Sequence, residues 1–272
     1  CSLSQVPDGQ TRAEIEAGLE KYGVLIWPGQ TVTPAQQVAF SAAFGPLDKP
    51  SLVAARHKDH DELFVVGNTG EKPVTFSPAT EDGELEWHTD HIHHKVPARA
   101  SLLYALTVPP QGGDTLFACM YCAYDALTPE QQAEYDRLEA IHSVAGLQAY
   151  LSGQGYKYVN KERREDLEDA VVHPLVRAHP LTGRKALYFG NQVTIGITGW
   201  DGEQAYDFIK TLTRSACRPA HQYRHKWRPG DAVLWDNRRV LHAGTTYDMT
   251  RHRREMHRTT FRETEPIELV TG

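Results

Sequence analysis

The chain is poor in sulfur, with four cysteines and three methionines among 272 residues. Cysteines at 1, 119, 122 and 217 are too few to staple a chain of this size into a disulfide framework. Cys119 and Cys122 form a lone C-x-x-C, and no second pair stands at a zinc-ribbon spacing. Their flanks, FACMYCAY, are apolar and aromatic, so both are read as packing cysteines in a reducing, cytoplasmic compartment. Positive charge is also in short supply. Lys and Arg number 29 against 35 Asp and Glu, a net charge of −6, which argues against a nucleic-acid or anionic-membrane surface. No apolar run approaches the roughly 20 residues of a membrane span, and the N-terminus lacks a basic-then-apolar signal pattern. Cys1 rather than Met opens the chain, so a short preceding piece is expected. Internal repeats, low-complexity runs and linkers are absent, so residues 1–272 are expected to form a single domain.

What is present is a series of short strand-like runs between turn signals. Residues 12–22 place Ile15 and Leu19 four apart and stop at Gly23, which predicts a helix. GVLIWPGQ reads as a short buried strand, and Thr33-Pro34 caps a second helix running to Gly45. ELFVVGN (62–68), RASLLYALTVP (99–109) and DTLFACM read as strands, and TPEQQAEYDRLEAI (128–141) as the clearest helix. HPLVRAHPLTGRKALYFG predicts two strands around a Thr-Gly turn, and DGEQAYDFIKTLTRSA an amphipathic helix. YRHKWRPGDAVLWDN predicts two strands around Arg-Pro-Gly-Asp, and REMHRTTFRE closes as a strand. The expected fold is mainly β with helical decoration (α+β), arranged as a double-stranded β-helix, or jelly-roll, barrel.

The stretch EWHTDHIHH, residues 86–94, crowds four histidines and two acids into nine positions. In an extended segment His88 and Asp90 share a face while Thr89 points away. His242, in WDNRRVLHAG just after an apolar strand, is the best candidate for a third ligand. Two imidazoles and one carboxylate on one side of a metal leave the remaining positions open, which suits non-haem Fe(II) better than a closed structural zinc site. H-x-D alone is a weak pattern, and the chain has 14 histidines. The last strand adds weight: Arg254, Met256, Arg258 and Thr260 share a face if it is extended, with the two arginines about 13 Å apart. Two inward guanidiniums read as two anion clamps on one wall.

The segments W87-H-T-D90, G112-G-D-T-L116, W235-D-N-R238, His242 and R253-R-E-M-H-R258 resemble, in order and spacing, the taurine dioxygenase/aryloxyalkanoate (2,4-D) dioxygenase family of Fe(II)- and 2-oxoglutarate-dependent enzymes. GVLIWPGQ and AFSAAFGPLD extend the likeness over nearly the whole chain. The resemblance implies that His88, Asp90 and His242 are the catalytic iron ligands. It implies that Thr115 donates its hydroxyl to one 2-oxoglutarate carboxylate, that Arg254 clamps the distal one, and that Arg258 binds the acidic group of the primary substrate. It also implies use of O2, release of succinate and CO2, hydroxylation of a small anionic organic substrate such as an aryloxyalkanoate or sulfonate, and a homo-oligomer. Formal charges on Fe(II), Asp90, Arg254 and 2-oxoglutarate cancel. Arg258 is then left positive without a partner, which calls for an anionic substrate. A hydroxylase or desaturase of natural-product biosynthesis is the alternative within the class. A metal-dependent hydrolase using zinc would not need the 2-oxoglutarate clamp, and a jelly-roll binding module would have no reason to retain three ligands and the paired arginines.

Two departures from the family pattern stand near the expected substrate: His91, His93 and His94 after the H-T-D, and a longer stretch over 69–86. If the strand runs on, His94 faces the same way as His88 and Asp90, so it is the histidine expected to reach the substrate pocket. A break is expected at Lys95-Val96-Pro97, and none of the three is expected to bind iron. The polar, tyrosine-bearing segment over 146–169, with Tyr150, Tyr156 and Tyr158, is read as a lid-like insertion.

Overall fold

In the computed structural model, which describes residues 1–50, 53–69, 85–144, 170–191, 193–265 and 267, the first helix is delimited by its own sequence. α1 (Gly9–Tyr22) begins after Asp8, whose carboxylate accepts from the Thr11 amide, and it buries Ile15 and Leu19. Gly23 ends it at φ 76°, in the left-handed region, with its N–H on the Leu19 carbonyl. β1 (Val24–Trp27) follows, then α2 (Pro34–Ala42), started by a reciprocal capping box between Thr33 and Gln36. β1 is an edge strand with Ile26 exposed, so the buried strand expected for GVLIW is only partly covered.

Next come β2 (Arg56–His57), β3 (His60–Gly67), β4 (Ala98–Thr107) and β5 (Thr115–Cys119). α3 (Met120–Asp125) and α4 (Pro129–Tyr135) lead into β6 (Glu139–His142), β7 (Val171–Pro174), β8 (Val176–Ala178), β9 (Lys185–Leu187) and β10 (Thr194–Ile197). The remaining elements are α5 (Gly202–Ala216), β11 (Gln222–His225), β12 (Ala232–Asp236), β13 (Val240–Gly244) and β14 (Glu255–Arg262). The helix expected over 128–141 is corrected. Thr128 and Gln131 cap it reciprocally, but it stops at Tyr135, and Glu139–His142 pairs as a strand with β7 and β10. Pairing with distant strands overrides the local helical pattern there. The packing role expected for the C-x-x-C holds for Cys119, which packs partly buried against the core, and is corrected for Cys122. Cys119 caps α3 with its Sγ 2.6 Å from that of Cys122, and Cys122 is an exposed thiol.

The large sheet has the order β1-β12-β4-β14-β3-β2, and its named neighbours pair antiparallel. Alternation along its central strands sorts two cores. Ala100, Leu102 and Tyr104 of β4 and Ala232 and Leu234 of β12 face the helices, against Ile15, Leu19 and Phe40. Leu103, Ala105, Val233, Trp235 and Met256 face the other way, against Phe117 of β5 and Val240 of β13. Those two strands belong to a smaller sheet of order β11-β5-β13. The protein is thus mainly β, with helices covering one face of the large sheet and the small sheet covering the other. The two strands around Arg-Pro-Gly-Asp do not pair with each other. β11 joins β5 and β12 joins β1 and β4, so that turn carries the chain from one sheet to the other.

Gly112 opens the turn into β5 at φ 73°, and a Cβ there would stand 2.2 Å from the Thr246 carbonyl oxygen. Gly112→Ala is expected to lower stability by about 1–3 kcal/mol in urea unfolding. Gly9→Ala, with nothing within 4 Å of its Cβ, should leave the midpoint unchanged. Equal midpoints for the two variants would mean that the turn is not pressed against Thr246.

Candidate metal centre

His88 and His242 meet across an isolated antiparallel bridge. The amide of His88 donates to the His242 carbonyl at 3.0 Å, and that of His242 to the His88 carbonyl at 2.8 Å. Exchanging both bonds sets the two side chains beside each other, with ring centroids 4.1 Å apart. His88 Nδ1 lies 3.0 Å from the Glu86 carbonyl oxygen, which can only accept. Nδ1 therefore carries the proton of the neutral ring, and the lone pair is left on Nε2. Asp90 aims at the same place: one ligand atom each from His88, Asp90 and His242 all lie within 4.8 Å of one another. His242 Nδ1, though buried, has no hydrogen-bond partner among the described residues.

The electrostatics suit a divalent cation. Burial holds the His88 imidazole below its ordinary value and that of His242 well below, so both are neutral at pH 7. Burial alone would raise the Asp90 carboxyl, but Arg258, His242 and His88 outweigh it and hold it far below the usual carboxylate range. Two unprotonated imidazoles beside an ionised carboxylate need no proton removed before an ion binds, so the residues fit a resident metal.

Arg258 reaches the inner face of β14 as its alternation predicts, but it is not left without a partner. Its Nη1 lies 2.6 Å from Asp90 Oδ1, and its guanidinium sits 5.0 Å over the Phe64 ring. The charge count assumed an isolated guanidinium there. The ion pair corrects that, since two buried opposite charges in reach of each other pair rather than stay apart. Arg254 is different. Among the described residues it makes no ion pair and its Nε has no hydrogen-bond partner, and burial lowers its pKa, opposed by Tyr247. An ideal Cβ on Gly113 would stand 3.4 Å from Arg254 Cδ, so the G-G-D-T turn abuts the arginine. Thr115 is buried and its hydroxyl accepts from Trp227 Nε1 at 3.0 Å, which leaves its own proton for another acceptor.

The histidines after Asp90 do not continue a strand. Residues 90–93 turn, His91 sits at φ 56°, and the His94 amide bonds the His91 carbonyl, so the break comes earlier than Lys95-Val96-Pro97. His91 Nδ1 lies 2.9 Å from Asp48 Oδ2, and the His94 ring packs on those of His91 and His93 at 5.0 and 4.4 Å. The facing that pointed His94 at the substrate therefore rests on a strand that is not there. The lid expected over 146–169, with its three tyrosines, lies outside the described residues, as does 70–84.

Three residues that hold the site were not singled out in the sequence. Gly190 lets the backbone approach His88, since a Cβ there would stand 3.1 Å from His88 Cα. Asn191 then bonds the Trp87 carbonyl through its amide and that of Leu85 through Nδ2. Asn68 seats Arg254: Oδ1 accepts from the Arg254 amide at 2.8 Å, and Nδ2 donates to the carbonyls of Met249 and His252. A lone Asn after a strand was the only signal for the last.

A convergent His-Asp-His set between two antiparallel sheets, beside an arginine with no ion pair among the described residues, is a candidate site for a mononuclear non-haem metal. The chain belongs to the taurine catabolism dioxygenase TauD, TfdA family, whose model matches residues 2–260. It is 35% identical over 242 residues to an (S)-phenoxypropionate/alpha-ketoglutarate-dioxygenase of Sphingobium herbicidovorans, covering 88% of this chain and 82% of that one. It is 29% identical over 248 residues to a pentalenolactone F synthase of Streptomyces arenae, covering 88% and 83%. Among solved structures, AAD-2 in complex with Mn(II) and N-oxalylglycine superposes with a TM-score of 0.81 at 32% identity, covering 98% of this chain and 93% of that one.

The histidines away from the triad set a pH dependence. Burial holds His142 well below its ordinary value, lowers His173, and brings His257 to about 4. Unfolding returns them to about 6.5. Below that pH the unfolded chain binds more protons than the native one, so stability is present above about 6.5 and is lost as pH falls towards 4. Urea midpoints are expected to drop between pH 7 and pH 5, and His257→Gln should flatten that slope. A midpoint independent of pH over this range would contradict the burial of these rings.

Proposed function

We propose that the chain is an Fe(II)- and 2-oxoglutarate-dependent dioxygenase that hydroxylates a small anionic organic compound. His88, Asp90 and His242 hold the metal, Thr115 and Arg254 hold 2-oxoglutarate, and Arg258 takes the acidic group of the substrate. The observation that carries this reading is Arg254, a buried guanidinium with no counter-charge among the described residues, set against the turn that bears Thr115. A metal hydrolase has no use for it. The facing large and small sheets support a jelly-roll barrel, formed by one domain over 1–272.

A bound Fe(II) supplies the oxidative chemistry with O2 that turns 2-oxoglutarate into succinate and CO2 and hydroxylates a substrate C–H. The chain's own groups orient and shield. The Glu86 carbonyl fixes His88 in the tautomer whose Nε2 can ligate. Arg254 supplies a planar fork for a carboxylate, and Thr115, committed by Trp227 as an acceptor, donates its proton to that acid. Arg258 spends one N–H on Asp90, while its Nε is buried without a partner, so it can hold Asp90 and a substrate anion together. The likeness to the phenoxypropionate enzyme favours an aryloxyalkanoate. The likeness to pentalenolactone F synthase is the one observation favouring a biosynthetic hydroxylase or desaturase instead.

Succinate release in the presence of Fe(II), 2-oxoglutarate and O2 should be stimulated by an aryloxyalkanoate, with sulfonates, alkyl sulfates and phosphonates as comparison. Anaerobic Fe(II) with 2-oxoglutarate should give the weak visible charge-transfer band of a chelated 2-oxo acid, and His242→Ala should lose it. Arg254→Ala should weaken 2-oxoglutarate binding by about 2–4 kcal/mol while leaving Fe(II) binding intact. No band with folded wild-type protein, or full activity in His242→Ala, would sink the proposal.

A further inference from the structure

Ser101 lies on the inner face of β4, beside Leu103 and Ala105, and is fully buried among apolar neighbours. Its Oγ is 2.6 Å from Asp90 Oδ2. Asn237, in the turn between β12 and β13, donates from Nδ2 to the same Oγ at 3.0 Å. The orientation of that amide is fixed at its other end. Trp235 Nε1, an indole nitrogen that can only donate, lies 2.8 Å from Asn237 Oδ1, and the Asp90 amide lies 3.3 Å from it. Oδ1 is therefore the oxygen and Nδ2 the donor. With a lone pair of Ser101 taken by Asn237, the one hydroxyl proton goes to Asp90 Oδ2. The other acceptor in reach, Thr260 Oγ1, is at 3.5 Å.

We infer that Trp235, Asn237 and Ser101 form a directed hydrogen-bond relay that positions Asp90, with Ser101 as the positioning residue that restricts the carboxylate to one ligating oxygen. This rests on the reading of Asp90 as a metal ligand. Oδ2 is held by the relay on the β4 side, while Oδ1 accepts from Arg258 Nη1 at 2.6 Å and faces His242 Nε2 at 4.0 Å. With Oδ2 so occupied, the lone pair of Oδ1 that Arg258 leaves free is the one presented to an ion, and the second position on that ion stays open. Every polar member is at most 4% exposed: Ser101 at 0%, Asn237 at 1%, Trp235 at 1% and Asp90 at 4%. Water therefore cannot replace a missing donor without entering a packed core.

Co(II) is the probe, because its ligand-field bands report coordination without turnover. In Ser101→Ala the dissociation constant for Co(II) should rise about tenfold, as for loss of a group that orients a metal ligand. The bands should also shift or lose intensity as the freed Oδ2 enters the coordination sphere. Trp235→Phe, which removes the N–H that fixes Asn237, should change the bands in the same direction and by less. If Ser101→Ala does not fold, the Trp235→Phe spectrum decides. Unchanged Co(II) affinity in folded Ser101→Ala overturns the inference. Weaker affinity with an unchanged spectrum also overturns it, because loosened packing alone would give that. Asp90→Ala separates the two readings. If it binds Co(II) like wild type, the metal-ligand reading itself fails, whereas loss of binding there with no effect in Ser101→Ala removes only the relay.

Discussion

Two backbone hydrogen bonds between His88 and His242 hold together everything that the site needs. β13 belongs to the small sheet, while the segment bearing His88 and Asp90 runs directly into the large sheet through β4. The bridge is thus the seam where one sheet is fastened to the other, and the imidazoles stand on the seam. Any sliding of the sheets that parted the rings would also break a pair of buried backbone bonds, each costly to leave unmade. Metal geometry and the packing of the two sheets are in this way the same constraint. The core between them, with Phe117, Trp235 and Val240, resists the same movement.

Charge is arranged around that seam by burial rather than by surface steering. Asp90 is ionised because the Arg258 guanidinium stands against it, and the imidazoles are neutral because they are dry. Arg254 and Arg258 come from one strand region and look alike in the sequence, yet among the described residues only Arg258 has an ion pair. The difference is positional. Arg258 faces Asp90 across the sheet interface, whereas Arg254 precedes β14 and is turned by Asn68 towards the Gly113 turn.

Much of this was legible in the residues because the signals are local. The helix cap at Thr33 stands next to the helix that it starts, and the alternation in β4, β12 and β14 needs only neighbours to be read. H-x-D is likewise a two-residue statement. What escaped depends on partners far along the chain. Glu139–His142 looks helical until β7 and β10 are present to pair with it. The Arg258–Asp90 contact joins residues 168 apart, and no periodicity announces it. His91 defeats the facing argument by adopting φ 56°, a conformation that a histidine sequence does not advertise.

The segment Trp235-Asp236-Asn237-Arg238-Arg239 shows how much one turn is made to carry. Asp236, fully buried, bonds the Arg238 guanidinium through both oxygens and lies 3.2 Å from His179 Nε2, which locks the turn to the hairpin of β8 and β9. Arg239 donates to the Glu20 carbonyl and stacks 4.2 Å from the Tyr121 ring, which locks it to α1 and α3. Asn237 turns towards the site, bonded to Trp235, Ser101 and the Asp90 amide. Three charged neighbours thus hold the backbone from outside so that one neutral amide can face the Asp90 carboxylate. A charge at position 237 would add directly to the balance among Asp90, Arg258 and a bound ion, in a medium too dry to screen it. The amide sets a direction for hydrogen bonding without changing that balance, which is the physical reason for a neutral side chain between an aspartate and an arginine.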